Sequence, residues 1–373
     1  MASLLKWART LSRRTPLVPL QFPASGFEVV PESEILEEEQ FEESSNARQY
    51  YPVKIGDIYA RKYQILGKLG FGTTSTVWLA RHLQEEFQIY DQIRRVGNPS
   101  HPGYPHVRTA SDMFMLPSPY VEAGGSVVVE HHCLVQEPMW DSWKDLLTRN
   151  PAERFTEDLL KAGLRQVLLA IDFLNTECSL VHTNIKSDNI LQGIADKRIL
   201  EAFTNAELAV PSAWKVVNGH TINRPRQLEL PQQFGDAVLG DLGSAVRGDE
   251  KRNDDAQPQV YRSPETMLEV EWSYPVDIWN VGCMIWDLFE GRHLFHGEDP
   301  DGKGYSTRAH LAELMALLGL PPLDLIKRGA RSDEFFTKDG KWRNEVPIPK
   351  ATTLEENEYF LEGPMAQQSP NRH

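Results

Sequence analysis

The chain has 373 residues, 40% of them apolar and 25% charged, with a formal net charge of −14. No run of ~18 apolar residues occurs, which argues against a membrane-spanning helix; three scattered cysteines, Cys133, Cys178 and Cys283, make no metal-ligand pattern and fit a reducing compartment. The acidic balance disfavours direct binding to nucleic acid and favours a basic protein partner, and the length leaves room for one large two-lobed domain or two ordinary ones.

In chain order, residues 1–27 hold Lys6, Arg9, Arg13 and Arg14 with no acidic residue, whereas residues 32–43 hold seven glutamates beginning at Glu32 and ending at Glu43. Such opposite blocks predict a disordered tail over 1–49. Its basic, Ser-containing start suits a mitochondrial transit peptide, and equally an arm folded back on the acidic stretch. Two β-prone runs then flank a glycine turn, Tyr63-Gln64-Ile65-Leu66 leading into Gly70-Phe71-Gly72-Thr73-Thr74-Ser75-Thr76-Val77-Trp78-Leu79-Ala80. Glycines let a backbone approach phosphates closely, and the flanking strands make this a hairpin lid instead of a strand-to-helix cradle; an ordinary hairpin turn would read the same way.

Next, Cys133-Leu134-Val135-Gln136-Glu137-Pro138-Met139 reads as an apolar strand ending in a Pro-containing connector. Between Glu157 and Leu174, the residues Leu160, Leu164, Val167, Leu168, Ile171 and Leu174 recur at helical spacing and predict a core helix. The stretch Leu180-Val181-His182-Thr183-Asn184-Ile185-Lys186-Ser187-Asp188-Asn189-Ile190-Leu191 follows. After it come Val238-Leu239-Gly240-Asp241-Leu242-Gly243, Tyr261-Arg262-Ser263-Pro264-Glu265 and Asp277-Ile278-Trp279-Asn280-Val281-Gly282. From Ala351 the chain turns polar, with Glu362-Gly363-Pro364 and Ser369-Pro370 as breakers.

In this order, from Tyr50 to Leu325, the chain resembles the eukaryotic protein kinases, and specifically the SR-protein kinase family in its fungal form. The marks that carry the resemblance are Tyr50-Tyr51-Pro52-Val53, Ser75 in place of a third glycine, the His182-to-Ile190 loop, and Tyr261-Arg262-Ser263-Pro264-Glu265. Met284-Ile285-Trp286-Asp287-Leu288-Phe289-Glu290-Gly291, Arg308-Ala309-His310-Leu311-Ala312 and the long insert from Gln192 to Gly240 match as well. The fold implied is an α+β, bilobal kinase-like domain over 50–350. It has a small β-rich N-lobe over 57–137 and a larger helical C-lobe over 140–350, with a polar tail over 351–373.

Residue by residue, the resemblance gives Asp241 and Asn189 the oxygen ligands of Mg2+, since a hard cation takes oxygen donors. Lys186 would neutralise the transferring phosphoryl group. Gly70, Gly72 and Val77 would cover ATP, and Glu137 to Met139 would hold its adenine. Structural roles fall to His182, Glu265 and Asp277, and to Glu86 on the helix that normally carries a paired glutamate.

The departures matter as much. Asn184 stands where these kinases place the aspartate that takes the substrate hydroxyl proton. An amide can position a hydroxyl but is a very poor base, and loss of such help costs ~10²–10⁴ in rate. No lysine occurs between Lys68 and Lys144, and Ala80 is separated from Glu86-Phe87-Gln88-Ile89-Tyr90 only by Arg81 to Glu85. The strand with a Val-Ala-x-Lys pattern is therefore missing, through a genuine loss of nucleotide clamping or through an exon dropped from the coding sequence. Its absence would open the small sheet. No equivalent of the closing arginine that pairs with Glu265 follows Leu325.

Thr183 replaces the arginine that grips a phosphorylated activation loop, and residues 245–260 contain no Ser, Thr or Tyr. Any activity is thus expected to be independent of phosphorylation there. The resemblance implies Arg/Ser-rich, splicing-factor-like basic proteins as partners of a monomer in the cytoplasm or nucleus. It leaves two functions open, a slow serine/threonine kinase and a pseudokinase scaffold or decoy. A third possibility is a gene product that does not fold stably.

Overall fold

The computed structural model describes residues 19–23, 27–31, 33–36, 50–72, 75–82, 98–117, 130–217 and 220–361. Two compact units result, one from residues 1–95, 109–138 and 194–234, the other from residues 96–108, 139–193 and 235–373. The first is small and strand-rich and the second larger and helical, the α+β division that the motif order implies. Glu86 and the stretch on either side of it lie outside the described residues.

The first unit opens with strand β1 (Ile58–Tyr59), which pairs antiparallel with the start of β2 (Tyr63–Phe71); β2 pairs antiparallel along its length with β3 (Thr76–His82). The glycine turn therefore sits at the tip of a hairpin. Strands β4 (Ala110–Pro117) and β5 (Glu130–Gln136) form a separate antiparallel ribbon with Met113 opposite Leu134. Among the described residues no strand joins this ribbon to the three-stranded sheet. That break lies where the sequence lacks its lysine-bearing strand.

The chain then enters the second unit through β6 (Met139–Ser142) and helix α1 (Trp143–Arg149), whose start is fixed by a reciprocal capping box between Ser142 and Asp145. Helix α2 (Glu157–Thr176) is capped by the Thr156 hydroxyl, and Glu157 and Asp158 complement its positive end. It buries Leu160, Val167, Ile171 and Leu174 as the spacing predicts. Leu168 is the correction, 45% exposed. Val167 takes the inward position, and the step of about 100° to the next residue carries Leu168 past the edge of the buried stripe to the solvent side. Strands β7 (Leu180–Val181) and β8 (Ile190–Ile194) bracket the Asn184 loop.

Residues 194–234 return to the first unit as helix α3 (Arg198–Ala209) and the hairpin β9 (Trp214–Val217) and β10 (His220–Asn223). Helix α3 packs on β2. A Cβ placed at Gly67 would lie 2.6 Å from the Phe203 ring and 3.0 Å from Glu207 Cγ, so only glycine fits there. Beside it the Arg226 N–H donates to the Lys68 carbonyl at 3.0 Å. The expectation of a sheet stripped of cover is thus modified: the insert covers β2 and satisfies one of its backbone acceptors. Glu207 is fully buried and holds the insert together through the Ser212 N–H at 3.0 Å and the Arg226 guanidinium.

Part of the stretch that reads as a tail is anchored on this unit. The Leu20 N–H and C=O bond reciprocally to the buried Gln64 amide, both at 2.8 Å. Val29 bridges Trp214 in parallel, Val30 is buried, and Lys215 Nζ donates to the Glu34 carbonyl at 2.6 Å. Apolar side chains and a buried amide thus hold backbone that charge composition alone assigns to solvent.

The second unit resumes with β11 (Phe234–Leu239), which joins β8 and β6 in one sheet, and β12 (Val246–Arg247), which pairs with β7. Helices α4 (Pro264–Met267), α5 (Pro275–Glu290), α6 (Thr307–Leu318), α7 (Leu323–Arg328), α8 (Ser332–Phe335) and α9 (Leu354–Asn357) complete it. Its core runs from Leu160, Ile171 and Leu174 of α2 through Ile185, Ile190 and Leu239 to Met284, Leu288 and Leu311. Helix α5 ends at Gly291, whose φ of 68° needs a residue without a Cβ. Beyond α9 the chain stays bound: the Tyr359 N–H donates to the Glu290 carboxylate, and Arg154 stacks on Phe360 at 4.0 Å.

Candidate active site

The Asn184 loop is held from three sides within the second unit. From the first turn of α5, the fully buried Asp277 carboxylate accepts the His182 N–H at 2.7 Å and the Thr183 N–H at 2.8 Å. Burial pushes the Asp277 carboxyl up, and the two N–H donors work against that shift. His182, also fully buried, donates from Nε2 to the Gly240 carbonyl at 2.8 Å and accepts the Asn184 N–H at Nδ1. The two partners fix one tautomer, with the proton on Nε2. Ile185 and Ile190, both fully buried, pin the loop to the core.

Within this frame the polar groups converge. Asn189 Nδ2 donates to the Asn184 carbonyl at 2.8 Å, and the Gly240 N–H donates to the Asn189 carbonyl at 2.8 Å. Asp241 follows in the left-handed region with φ 57°. Asn184 Nδ2 donates to Asp241 Oδ2 at 3.4 Å. Lys186 Nζ lies 3.9 Å from Asp188, which also pairs with Lys144 at 3.1 Å. Neither contact of Asp188 is legible in the loop sequence alone.

The donor set suits a hard divalent cation. Asp241 offers a carboxylate, and Asn189, bonded through its NH2, keeps its amide oxygen for a ligand. A neutral amide at position 184 can accept a hydroxyl hydrogen bond through its oxygen and cannot retain a proton.

In the first unit, Gly70 pairs with Val77 across the hairpin, and the Gly72 N–H donates to the Ser75 carbonyl at 2.8 Å. Among the described residues nothing lies within 4 Å of a Cβ built at Gly70 or Gly72, and Val77 is 42% exposed. Both glycines thus leave room beside the turn. Glu137 and Met139 flank Pro138 where β5 gives way to β6. The structure thus brings together His182, Asn184, Asn189, Asp241 and Asp277, and separately Gly70, Gly72 and Val77. Glu86 is outside the described residues. Glu265, in the first turn of α4, makes no ion pair among the described residues.

Beside the loop, a cavity of about 390 Å³ is lined by Thr183, Asn184, Asp254, Asp255, Arg262 and Trp272, among others. Thr183 turns its hydroxyl to the Ser244 carbonyl at 2.9 Å, and Arg262 pairs with Asp255 at 2.8 Å. The segment after Asp241 is therefore held by carboxylates and hydroxyls already in the chain.

No protein-family model matches the chain. Among curated proteins it is 34% identical over 371 residues to a serine/threonine protein kinase of Aspergillus fumigatus, covering 94% of this chain and 88% of that protein. It is 26% identical over 331 residues to the serine/threonine-protein kinase SRPK of Physarum polycephalum, covering 78% and 75%. It is also 25% identical over 436 residues to protein kinase dsk1 of Schizosaccharomyces pombe, covering 86% and 78%.

Proposed function

Because the chain belongs to the serine/threonine protein kinase family, with a likeness to the SR-protein kinases, we propose that it transfers the γ-phosphoryl group of ATP slowly to serine in Arg/Ser-rich basic proteins. The observation that carries this reading is the braced loop: Asp277, His182 and Asn189 hold it, with Asn184 where the resemblance puts the proton acceptor. ATP with a divalent ion such as Mg2+, when bound, would supply the phosphoryl group and neutralise its charge. Asp241 and the Asn189 amide oxygen would hold the ion, and Lys186 would face the phosphoryl oxygens. The Asn184 amide oxygen would orient the serine hydroxyl, whose proton would pass to an oxygen of the transferred phosphoryl group, and from there to solvent, in place of a carboxylate. An acidic surface, with a net charge of −14, would gather a basic substrate in a salt-sensitive manner.

The experiment is phosphate transfer from Mg-ATP to an Arg/Ser peptide by the protein and by Asn184→Asp. The expected result is slow transfer that rises ~10²–10⁴-fold in the variant. A second reading, a pseudokinase that holds Arg-rich partners without reacting, is favoured by the amide donated to Asp241 and by the absence of any lysine between Lys68 and Lys144. No transfer by either protein, together with salt-sensitive peptide binding, would establish that reading instead.

A further inference from the structure

Tyr261 heads the Tyr-Arg-Ser-Pro-Glu segment, and one helix holds both ends of it. Its carbonyl accepts Asn280 Nδ2 at 2.8 Å, and its hydroxyl donates to Asp287 Oδ2 at 2.5 Å, both partners lying on α5. His293 Nδ1 donates to that same Asp287 oxygen at 2.6 Å. The other oxygen, Oδ1, is buried with no hydrogen-bond partner among the described residues. Asp287 itself is 8% exposed, and among the described residues His293 is the one cationic group in ion-pair contact with it. Its imidazole is half-exposed, so solvent protons reach it.

A buried carboxylate with one bare oxygen needs its charge compensated, and it holds its donors best when one of them is a cation. Removal of the His293 proton leaves Asp287 with neutral donors only. The groups facing this imidazole are Asp287 from α5, the Tyr261 ring, Lys144 from α1 and, from its own segment, the His296 ring at 5.9 Å. Cys283 and Asp188 act on Tyr261 from the sides. Arg292, its chain neighbour, stacks instead on the rings of Trp286 and Tyr359.

We infer that His293 is a pH-dependent positioning residue for the peptide platform, its protonated ring clamping Asp287 and, through Asp287, Tyr261 and the Arg262-to-Glu265 segment that follows. The inference rests on the kinase reading of the site, because it takes that segment as the surface on which a substrate peptide lies. The hydrogen bond to Asp287 holds the His293 pKa above its ordinary value, with burial and Lys144 opposing. The clamp is therefore complete below about pH 6.5, the unfolded-state value, and is lost as pH rises through the raised folded value.

The test is the affinity for an Arg/Ser peptide, by fluorescence anisotropy between pH 6 and 8.5 at fixed ionic strength, for the protein and for His293→Gln, which keeps a neutral donor. The peptide is N-terminally acetylated and carries a rhodamine label, so no group on it titrates in this range. The expected result is binding that weakens about two- to fivefold across the range in the protein, the size of one half-exposed charged contact, and a flat profile in the variant at the high-pH value. Melting temperatures over the same range should converge toward those of the variant as pH rises. Equal pH dependence in both proteins overturns the role of His293 while leaving the kinase reading intact. Peptide binding by neither protein at any pH overturns the substrate reading and the platform role with it.

Discussion

Substitution of Gly67 by alanine tests how the insert covers β2, and its effect should depend on a residue far away in sequence. The added Cβ would lie 2.6 Å and 2.8 Å from two carbons of the Phe203 ring, where ordinary contact begins at 3.4 Å. Neither side gives easily, since Gly67 sits in a paired strand and Phe203 is 3% exposed. Overpacking of this kind costs about 1–3 kcal/mol, of which roughly 0.5–1 is offset because alanine in a strand loses less backbone freedom than glycine. A net loss of about 1–2 kcal/mol follows, or a Tm lower by about 1–3 °C in a chain of 373 residues. Phe203→Ala alone opens a cavity and costs about 3–5 kcal/mol. With the ring gone only the 3.0 Å approach to Glu207 Cγ remains, offset by the backbone gain of alanine, and Gly67→Ala in that background should be neutral to within about 0.5 kcal/mol. Melts followed by tryptophan emission, with nine tryptophans in the chain, give all four corners of the cycle. Two additive substitutions, or no effect of Gly67→Ala alone, would show that α3 does not rest on β2.

Asp277→Asn keeps the volume but turns an amide N–H toward one of two buried backbone N–H groups, so a loss of about 2–4 kcal/mol is expected by denaturant titration; a loss under about 0.5 kcal/mol would mean that the loop is braced elsewhere. His310 should make the fold acid-sensitive. Burial, aided by Arg262, depresses its pKa from 6.5 to about 4. Stability is thus full above pH 6.5 and falls as pH drops toward 4, on the order of 3 kcal/mol in all; a pH–melt curve for His310→Gln as steep as the parent's would refute that assignment. Phosphatase treatment should leave any transfer activity unchanged, because residues 245–260 offer no acceptor and Asp255 already pairs with Arg262. Activity that depends on a phosphate mapped to that segment would end this expectation.

The Asn184 loop was legible because its polar groups sit in one contiguous run: His182, Asn184, Lys186 and Asn189 keep their order whatever surrounds them, and Asp277 is tied to them by a motif of its own. Helix α2 was legible from its spacing, except at Leu168, where periodicity alone does not say which of two adjacent leucine-like residues turns inward. The break between the two sheets among the described residues could be anticipated from a missing lysine. What covers β2 could not, since the contact of Gly67 with Phe203 joins residues far apart and depends on the absence of a side chain. The Tyr261, Asp287 and His293 chain was hidden for a similar reason, three common residue types that acquire meaning only when one helix brings them to a shared oxygen. Leu20 was obscured by composition, because charge counts say nothing of a backbone that pairs with a buried glutamine amide.

The bridge between Val29 and Trp214 also sets the order of events during synthesis. The first unit is assembled from three separate stretches of chain, and Val29 cannot make its bridge until residue 214 has left the ribosome. By then β6, both helices of the first pass through the second unit and the Asn184 loop have already emerged. The small unit is therefore the last of the two whose early residues can all settle: Leu20 can reach Gln64 early, whereas Val29 and Val30 wait for Trp214. Long-range pairing of this kind slows folding and prolongs exposure to aggregation, so the yield of soluble protein should be set by how fast residues 194–234 are made and docked.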